Sequence, residues 1–217
     1  MRETINKLRK ETETTLRVFY SFKQFRMFFT NQDDLEKLNE NANFWQVYEA
    51  SLRTNMFVGI RRLYEGKEDT FNFQNFIKAC LANLPLFSLE NLKERKVKGS
   101  SNSREWIDGY ITGAYQATGE DFKELARVVR KNSKRMKGAY TEAATKIYVH
   151  AIHMDHASMA KISESLDFDE IEAALLSIWH CYEQAWQMYE NGRQPVFEVG
   201  KYPYEQEVYD CVIKQLG

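Results

Sequence analysis

The histidines are the residues of this chain whose type and spacing could most directly carry out chemistry. All four lie in the C-terminal third, at positions 150, 153, 156 and 180. Imidazole titrates near neutral pH, so it can act as a general acid or base, and it also binds Zn, Fe, Ni and Cu. On a helix the outer two of the first three histidines would be about 120° apart. One small ligand could hardly engage all three.

Three interpretations of the histidines are open on this pattern. A metal site could use His153, Asp155, His156 or His180, but it would lack the Glu-x-x-His pairs of carboxylate-bridged bundles, because Ser177 and His153 occupy the glutamate positions. One histidine could instead perform acid–base chemistry. The third interpretation is structural, with the rings hydrogen-bonded at the polar ends of a helix.

A second pattern is a stripe of basic residues, with flanking basic residues, along a predicted helix. It comprises Arg127, Arg130, Lys131, Lys134, Arg135 and Lys137. Such a stripe could follow a phosphate backbone and predicts an RNA-binding site. The alternative is a solvated helix face whose charge is offset by Glu120, Asp121 and Glu124. The formal net charge of −1 argues against a strong global field for nucleic acid, but it leaves room for a local basic patch.

The segment Lys-Ile-Tyr-Val-His at 146–150 resembles the characteristic stretch of HEPN proteins, in particular the abortive-infection type of bacterial phage defence. Further segments fit the same family in the same order. They are Phe44 and Trp45, then Arg62 to Glu65 at the end of a long helix, Thr70 to Phe73, the acidic helix start at Asp167, and Asn191 with Gly192. The resemblance spans roughly residues 40–192, and the order of the segments is its main support.

The resemblance implies an all-α bundle that dimerises, and in active members a metal-independent ribonuclease without a cofactor. Two copies of an arginine-and-histidine motif then face each other across the dimer. His150 is the family histidine in this comparison. A neutral imidazole would accept the proton of an attacking 2′-hydroxyl, and an imidazolium would donate one to the leaving oxygen. A guanidinium would hold the phosphate and stabilise its growing charge.

The chain departs from the family motif at the arginine. Positions 143–145, where it belongs, hold two alanines and a threonine. If His153 is the family histidine instead, Lys146 lies at the outermost spacing that the family permits for the arginine. Lysine supplies a positive charge there but lacks the planar guanidinium of arginine. Lys146 and Arg135 are therefore the candidates to supply charge. The resemblance implies either a ribonuclease that uses His150, His153 and Lys146, or a degenerate, non-cleaving relative.

The predicted function is accordingly the binding or cleavage of RNA, in phage defence or a toxin–antitoxin system. Expected partners are RNA, a second copy of the chain, and an antitoxin or other protein. No metal or other cofactor is expected. The alternatives are a non-catalytic helical protein that binds a partner, and a metal-binding bundle that uses His150, His153 and His156.

Hydrophobic periodicity predicts an all-α, up-and-down bundle of about five to seven helices in residues 1–192. The few glycines and prolines, 10 and 3, favour helices over a β-sandwich. The predicted helices include residues 2–29 and about 33–65. A tail of residues 193–217 is expected to pack on the bundle or on a second copy, and residues 196–199 are the one plausible strand.

Local signals predict where helices begin, end and approach one another. Thr118 and Asp121 resemble a capping box, and Asp167 with Glu170 is the most complete helix start. Gly66 is predicted to end the second helix in the usual C′ position. A pair of glycines four residues apart, at 109 and 113, could permit close helix contact.

The cysteines and apolar runs bear on the cellular compartment. Cys80, Cys181 and Cys211 form no CxxC pair and are expected to be buried free thiols in a reducing cytoplasm. The charged N-terminal residues do not resemble a secretory signal. No apolar run approaches the ~20 residues that span a bilayer. We therefore expect a cytoplasmic protein without a membrane partner.

Overall fold

The computed structural model describes residues 1–30, 32–98, 103–133, 136, 140 and 167–216, and within these ranges it is all-helical. The α-helices there are α1 Arg2–Met27, α2 Gln32–Glu40, α3 Ala42–Tyr64, α4 Phe73–Ala82, α5 Leu89–Lys98, α6 Ser103–Thr112, α7 Gly119–Asn132, α8 Phe168–Asn191 and α9 Glu205–Leu216. Short 3-10 helices follow α1, at Phe28–Thr30, and α4, at Leu84–Phe87. The all-α prediction is confirmed, and the predicted number of helices in residues 1–192 is too low, because the described residues of that range form eight α-helices and the tail forms a ninth.

The extra helices have identifiable causes. The predicted helix at 33–65 is two helices, because Asn41 leaves the helical conformation (φ −131°, ψ 44°) and serves as the N-cap of α3. The tail contributes α9. The predicted strand at 196–199 is wrong, because Val196 bonds to side chains instead of a neighbouring strand. Its N–H donates to Gln184 Oε1 at 2.9 Å, and its carbonyl oxygen lies 2.7 Å from His180 Nε2.

The core is centred on α1, α3 and α8. Fully buried side chains from α1 and α3 include Leu8, Phe19, Phe57 and Ile60. They pack with the apolar side chains of α8 in one continuous cluster. Burial of large apolar side chains contributes about 1.5–3 kcal/mol each, so this three-helix contact dominates the stability of the fold.

The tail of residues 193–216 packs on α1 and α8. The ring of Tyr202 stacks on Tyr20 of α1 with 5.8 Å between centroids, and it meets Trp179 of α8 edge-on at 5.2 Å. Tyr209 of α9 makes an edge contact with the same tyrosine of α1 at 5.6 Å. Val208 is buried in the core cluster. The described part of the tail is thus joined to the bundle by aromatic contacts.

The two predicted helix starts are confirmed. In the capping box of α7, Asp121 N–H donates to Thr118 Oγ1 at 3.4 Å, while Thr118 N–H donates to Asp121 Oδ2 at 2.7 Å. At α8, a carboxylate oxygen of Asp167 accepts from the N–H groups of Asp169 and Glu170 at 3.0 and 3.1 Å. Each cap satisfies amide groups that have no partner within the helix.

Gly192 ends α8 in the left-handed conformation, with φ 53° and ψ 40°. A Cβ at this position would lie 2.5 Å from Leu92 Cδ2 and 2.9 Å from Ala114 Cβ, and the glycine carbonyl accepts from Tyr115 N–H at 2.6 Å. Gly66 does not play the corresponding role at α3, where Glu65 leaves the helix in an extended conformation (φ −64°, ψ 126°). The predicted end of the helix at Gly66 is therefore confirmed in position, but Gly66 does not adopt the left-handed conformation of a glycine cap.

Close helix contact occurs at a glycine that the sequence analysis did not select. A Cβ on Gly59 of α3 would lie 2.8 Å from Thr15 Cγ2 of α1, and closer still to its Oγ1. The predicted contact at Gly109 and Gly113 is not made with any described residue. Among these residues, a Cβ on Gly109 would meet nothing within 4 Å, and one on Gly113 would meet only the carbonyl oxygen of Tyr110, at 3.9 Å.

The three cysteines are free, as expected, but they differ in exposure. Cys80 and Cys181 are buried, and Cys211 is exposed on α9. Burial raises the pKa of the Cys80 thiol to about 12, and it raises the pKa of Cys181 well above its ordinary value. The prediction of buried thiols is confirmed for the first two and wrong for Cys211.

The contact at Gly59 can be tested by adding one methyl group. Gly59→Ala should lower the free energy of unfolding by about 1–3 kcal/mol, because the new Cβ overlaps Thr15 and forces α1 and α3 apart. Gly109→Ala is the matched control, since it adds the same methyl to an open helical position and should stabilise by roughly 0.5–1 kcal/mol. Urea denaturation measures both, and equal effects of the two substitutions would contradict the close contact.

Candidate functional site

The described residues include part of the predicted site. The predicted site residues outside them are Lys134, Arg135, Lys137, Lys146, His150, His153, Asp155 and His156. The catalytic roles and the metal-binding alternative assigned to those positions stay predictions. Arg127, Arg130, Lys131 and His180 are described, and they lie on α7 and α8. The chemistry of these two helices is therefore the starting point for function.

The first part of the basic stripe on α7 is neutralised by carboxylates of its own helix. The Arg127 guanidinium donates to Glu120 Oε1 at 2.9 Å and also bonds to Glu124. Lys123 Nζ lies 3.1 Å from the second carboxylate oxygen of Glu120. Asp121 takes no part in this charge balance, because its oxygens accept from Thr118 and from the hydroxyl of Tyr115. Of the three acidic residues that were expected to balance the positive charge of the stripe, Glu120 and Glu124 therefore do so and Asp121 does not.

The last turn of α7 carries the remaining charge. Arg130 and Lys131 are both exposed there, and Arg130 Nε donates to the Ala126 carbonyl oxygen at 3.1 Å. Among the described residues, no carboxylate lies within ion-pair distance of either side chain. This turn therefore presents two cations to solvent with free donor capacity, at the helix end where positive charge is favourable.

A groove lies beside this turn, between α3, α4 and α7, with a volume of about 390 Å³. Its apolar lining consists of Leu63, Phe73, Ile77, Leu81, Ala126 and Val129. Its cationic lining residues are Lys78, Lys123 and Arg130, and its polar ones are Tyr64, Gln74 and Ser133. None of the described residues that line it is acidic. The groove combines apolar walls with positive side chains.

The hydroxyl groups of the groove are held by the protein itself. Tyr64 donates to the Ala174 carbonyl oxygen at 2.9 Å, and Ser133 Oγ donates to the Val129 carbonyl oxygen at 2.7 Å. Burial raises the pKa of Tyr64, so the phenol is neutral at physiological pH. Neither hydroxyl has a neighbouring base among the described lining residues that would make it a nucleophile. This arrangement favours binding over catalysis within the groove.

His180 is a structural histidine in this arrangement. Its ring is buried, and its Nε2 lies 2.7 Å from the Val196 carbonyl oxygen, so the Nε2–H tautomer donates to it. Burial lowers the pKa of His180, and the bond to the carbonyl opposes that shift. Within the described ranges, no group of three or more His, Cys, Asp or Glu side chains could hold a metal ion. The hydrogen bond supports the structural interpretation of this residue.

An exposed apolar surface lies where α1 ends and α3 begins. It consists of Met27, Phe29, Phe44 and Val47, with Phe44 61% and Val47 67% exposed. Beneath it, Trp45 stacks on Phe25 with 5.7 Å between ring centroids. Phe29 contacts Phe25, and Phe44 contacts Trp45, so the two exposed rings lie on the same aromatic cluster. Exposed apolar side chains that lie together are typical of an interaction site.

The sequence analysis missed both the groove and this surface. The groove brings together residues of three separate helices. The one sequence signal for it is the alternation of basic and small residues along α7, at Lys123, Ala126 and Arg130. Comparison of the chain with protein-family models, curated proteins and solved structures gives no match. No helix in the described ranges combines the length and apolarity needed to cross a bilayer.

The buried imidazole of His180 should make stability depend on pH. Because its folded-state pKa is lowered, its contribution is present above the ordinary pKa of about 6.5 and is lost as pH falls towards the folded value, since the unfolded chain takes up the proton first. We expect His180→Gln, which keeps an N–H donor, to reduce the loss of stability between pH 7.5 and 5.5. Urea denaturation at both pH values measures the loss of unfolding free energy. Identical losses in the wild type and the variant would show that His180 is not the source of the pH dependence.

Proposed function

We propose that this chain binds RNA, with the last turn of α7 as a phosphate-binding surface, in the manner of a HEPN protein. The observation that carries the proposal is the exposed pair Arg130 and Lys131, which have no carboxylate within ion-pair distance among the described residues. An arginine can bind a phosphate with two parallel hydrogen bonds, and a lysine adds a mobile point charge.

The charge distribution along α7 supports a local site. Lys123 and Arg127 are paired with Glu120 and Glu124, so a phosphate would have to compete with carboxylates at that end of the helix. At the other end it meets no such competition among the described residues. Because the net charge of the chain is −1, binding depends on this local patch and on no global attraction.

RNA is favoured over other polyanions by the resemblance of residues 146–150 and of the segments around them to HEPN proteins. In the proposed reaction, His150 accepts the proton of a 2′-hydroxyl, whose oxygen attacks the phosphorus. The bond from phosphorus to the 5′ oxygen breaks, and a protonated histidine, His153 or His150 of the second copy, supplies the proton to the leaving oxygen. Lys146 or Arg135 stabilises the charge on the phosphate.

We further propose the setting that the resemblance implies. The protein would act as a homodimer in the cytoplasm, in phage defence or a toxin–antitoxin system, with an antitoxin or another protein as a regulatory partner. No cofactor enters the proposed reaction.

The second candidate function is partner binding without catalysis. The exposed apolar surface of Met27, Phe29, Phe44 and Val47 favours it, because apolar groups of this kind are buried when partners associate. A chain without the family arginine could keep the RNA-binding surface and lose cleavage. The cleavage assay below separates the two candidates.

Binding should show the salt dependence of phosphate contacts. Fluorescence anisotropy with a labelled single-stranded RNA, between 50 and 200 mM salt, measures it. Replacing Arg130 and Lys131 together by alanine should weaken binding and reduce the slope of log K against log salt by about 1.4, the value for two lost contacts. Arg127→Ala is the matched control and should have a smaller effect, since Glu120 and Glu124 already hold that guanidinium. Equal slopes for wild type and double variant would refute the surface.

Cleavage should need the histidine and no metal. We expect the wild-type protein to cleave RNA in EDTA and to sediment as a dimer, and His150→Ala to bind RNA but lose cleavage by at least about a hundredfold, the usual contribution of a general acid–base. His180→Gln controls for the loss of a histidine elsewhere. RNA binding without any cleavage by the wild type would favour the non-catalytic candidate, and equal cleavage by both proteins would remove His150 from the reaction.

A further inference from the structure

The groove between α3, α4 and α7 has the size of a small-molecule site. Its volume of about 390 Å³ falls within the usual range for ligand pockets, roughly 300–1,000 Å³. Three helices supply its walls, and four of its apolar side chains, Leu63, Phe73, Ile77 and Val129, belong to the core cluster. The walls are therefore fixed by the packing of the bundle, and the groove is formed before any ligand arrives.

The interior of the groove favours an aliphatic group. The half-buried Leu81 and Ala126 present hydrocarbon surface to it, and the buried Leu63, Ile77 and Val129 lie beneath them. The hydroxyls of Tyr64 and Ser133 already donate to backbone carbonyls of the protein. A polar ligand group placed in the interior would give up bonds to water and gain few in return, at a cost in free energy. The interior thus suits a chain of methylene groups.

The cations of the groove are only weakly engaged by the protein. Lys78 Nζ lies 3.5 Å from a carboxylate oxygen of Glu68, whose side chain is 91% exposed. Lys123 shares Glu120 with Arg127. Arg130 has no carboxylate within ion-pair distance among the described residues. Exposed pairs of this kind contribute little to stability, so an anionic ligand could displace them readily.

We propose that this groove binds a medium-chain aliphatic carboxylate. Its hydrocarbon tail would lie along the apolar walls, and its carboxylate would bind Arg130, with Lys78 and Lys123 adding charge. Arginine is suited to this role because its planar fork matches the two oxygens of a carboxylate. The proposal goes beyond the proposed RNA function, with which it shares Arg130. The apolar walls and Lys78 lie outside the basic stripe and distinguish the two sites.

Isothermal titration calorimetry with dodecanoate, below its micelle concentration and without RNA, tests the proposal. Affinity should rise by up to about fourfold for each methylene added from octanoate to dodecanoate, the gain for burying one such group. Dodecyltrimethylammonium, with the same tail and the opposite charge, should bind at least about tenfold more weakly than dodecanoate. No binding of dodecanoate, or equal binding of the two amphiphiles, would overturn the proposal.

Substitutions in and beside the groove test whether the ligand binds there. Ala126→Phe fills it from a half-exposed helical position and should abolish binding, with circular dichroism confirming the fold. Arg130→Ala should weaken dodecanoate binding about tenfold, the loss of a charged hydrogen bond, and Lys78→Ala should weaken it in the same direction. Arg127→Ala is the matched control on the same helix and should bind like the wild type. If Arg130→Ala and Arg127→Ala bind equally well, or if folded Ala126→Phe keeps full affinity, the groove is not the site.

Discussion

The burial of the middle of α8 on every side is the constraint on which the rest of the structure depends. Six consecutive residues of this helix, from Ser177 to Tyr182, are buried, and six residues span more than one full turn. The polar groups of Ser177 and His180, which are enclosed in this way, find their partners inside the protein. Ser177 Oγ donates to the Ala174 carbonyl oxygen at 2.7 Å, and His180 bonds to the backbone of the tail. The tail therefore completes the enclosure of α8.

The ends of α8 are fixed as firmly as its middle. Asp167 caps the first turn, and Gly192 reverses the chain after the last one in a conformation that side chains rarely adopt. At the same glycine, α5 and the segment between α6 and α7 approach the backbone closely. The position of α7 is thus coupled to the end of α8, and the α7 surface that we propose binds phosphate is held by this packing.

The parts of the fold that could be predicted from sequence are those that local interactions determine. The helix starts at Thr118 and Asp167 need only residues within a few positions of each other, and both are confirmed. The break at Asn41 could not be predicted, because apolar residues continue on both sides of it. The groove could not be predicted either, since its walls come from three helices distant in sequence. The residues of the basic stripe could be identified from sequence. Which end of the stripe is neutralised could not, because that depends on the ion pairs with Glu120 and Glu124.

The unequal exposure of the cysteines gives access to the tail by covalent chemistry. The thiolate is the nucleophile that attacks a thiol reagent, and Cys80 and Cys181 scarcely form it because burial raises their pKa. Cys211 is exposed on α9, beside the tyrosine contacts that join the tail to α1. A maleimide fluorophore would therefore label one position of the native protein. Its emission would report whether the tail stays docked when RNA, a second copy or another partner is added.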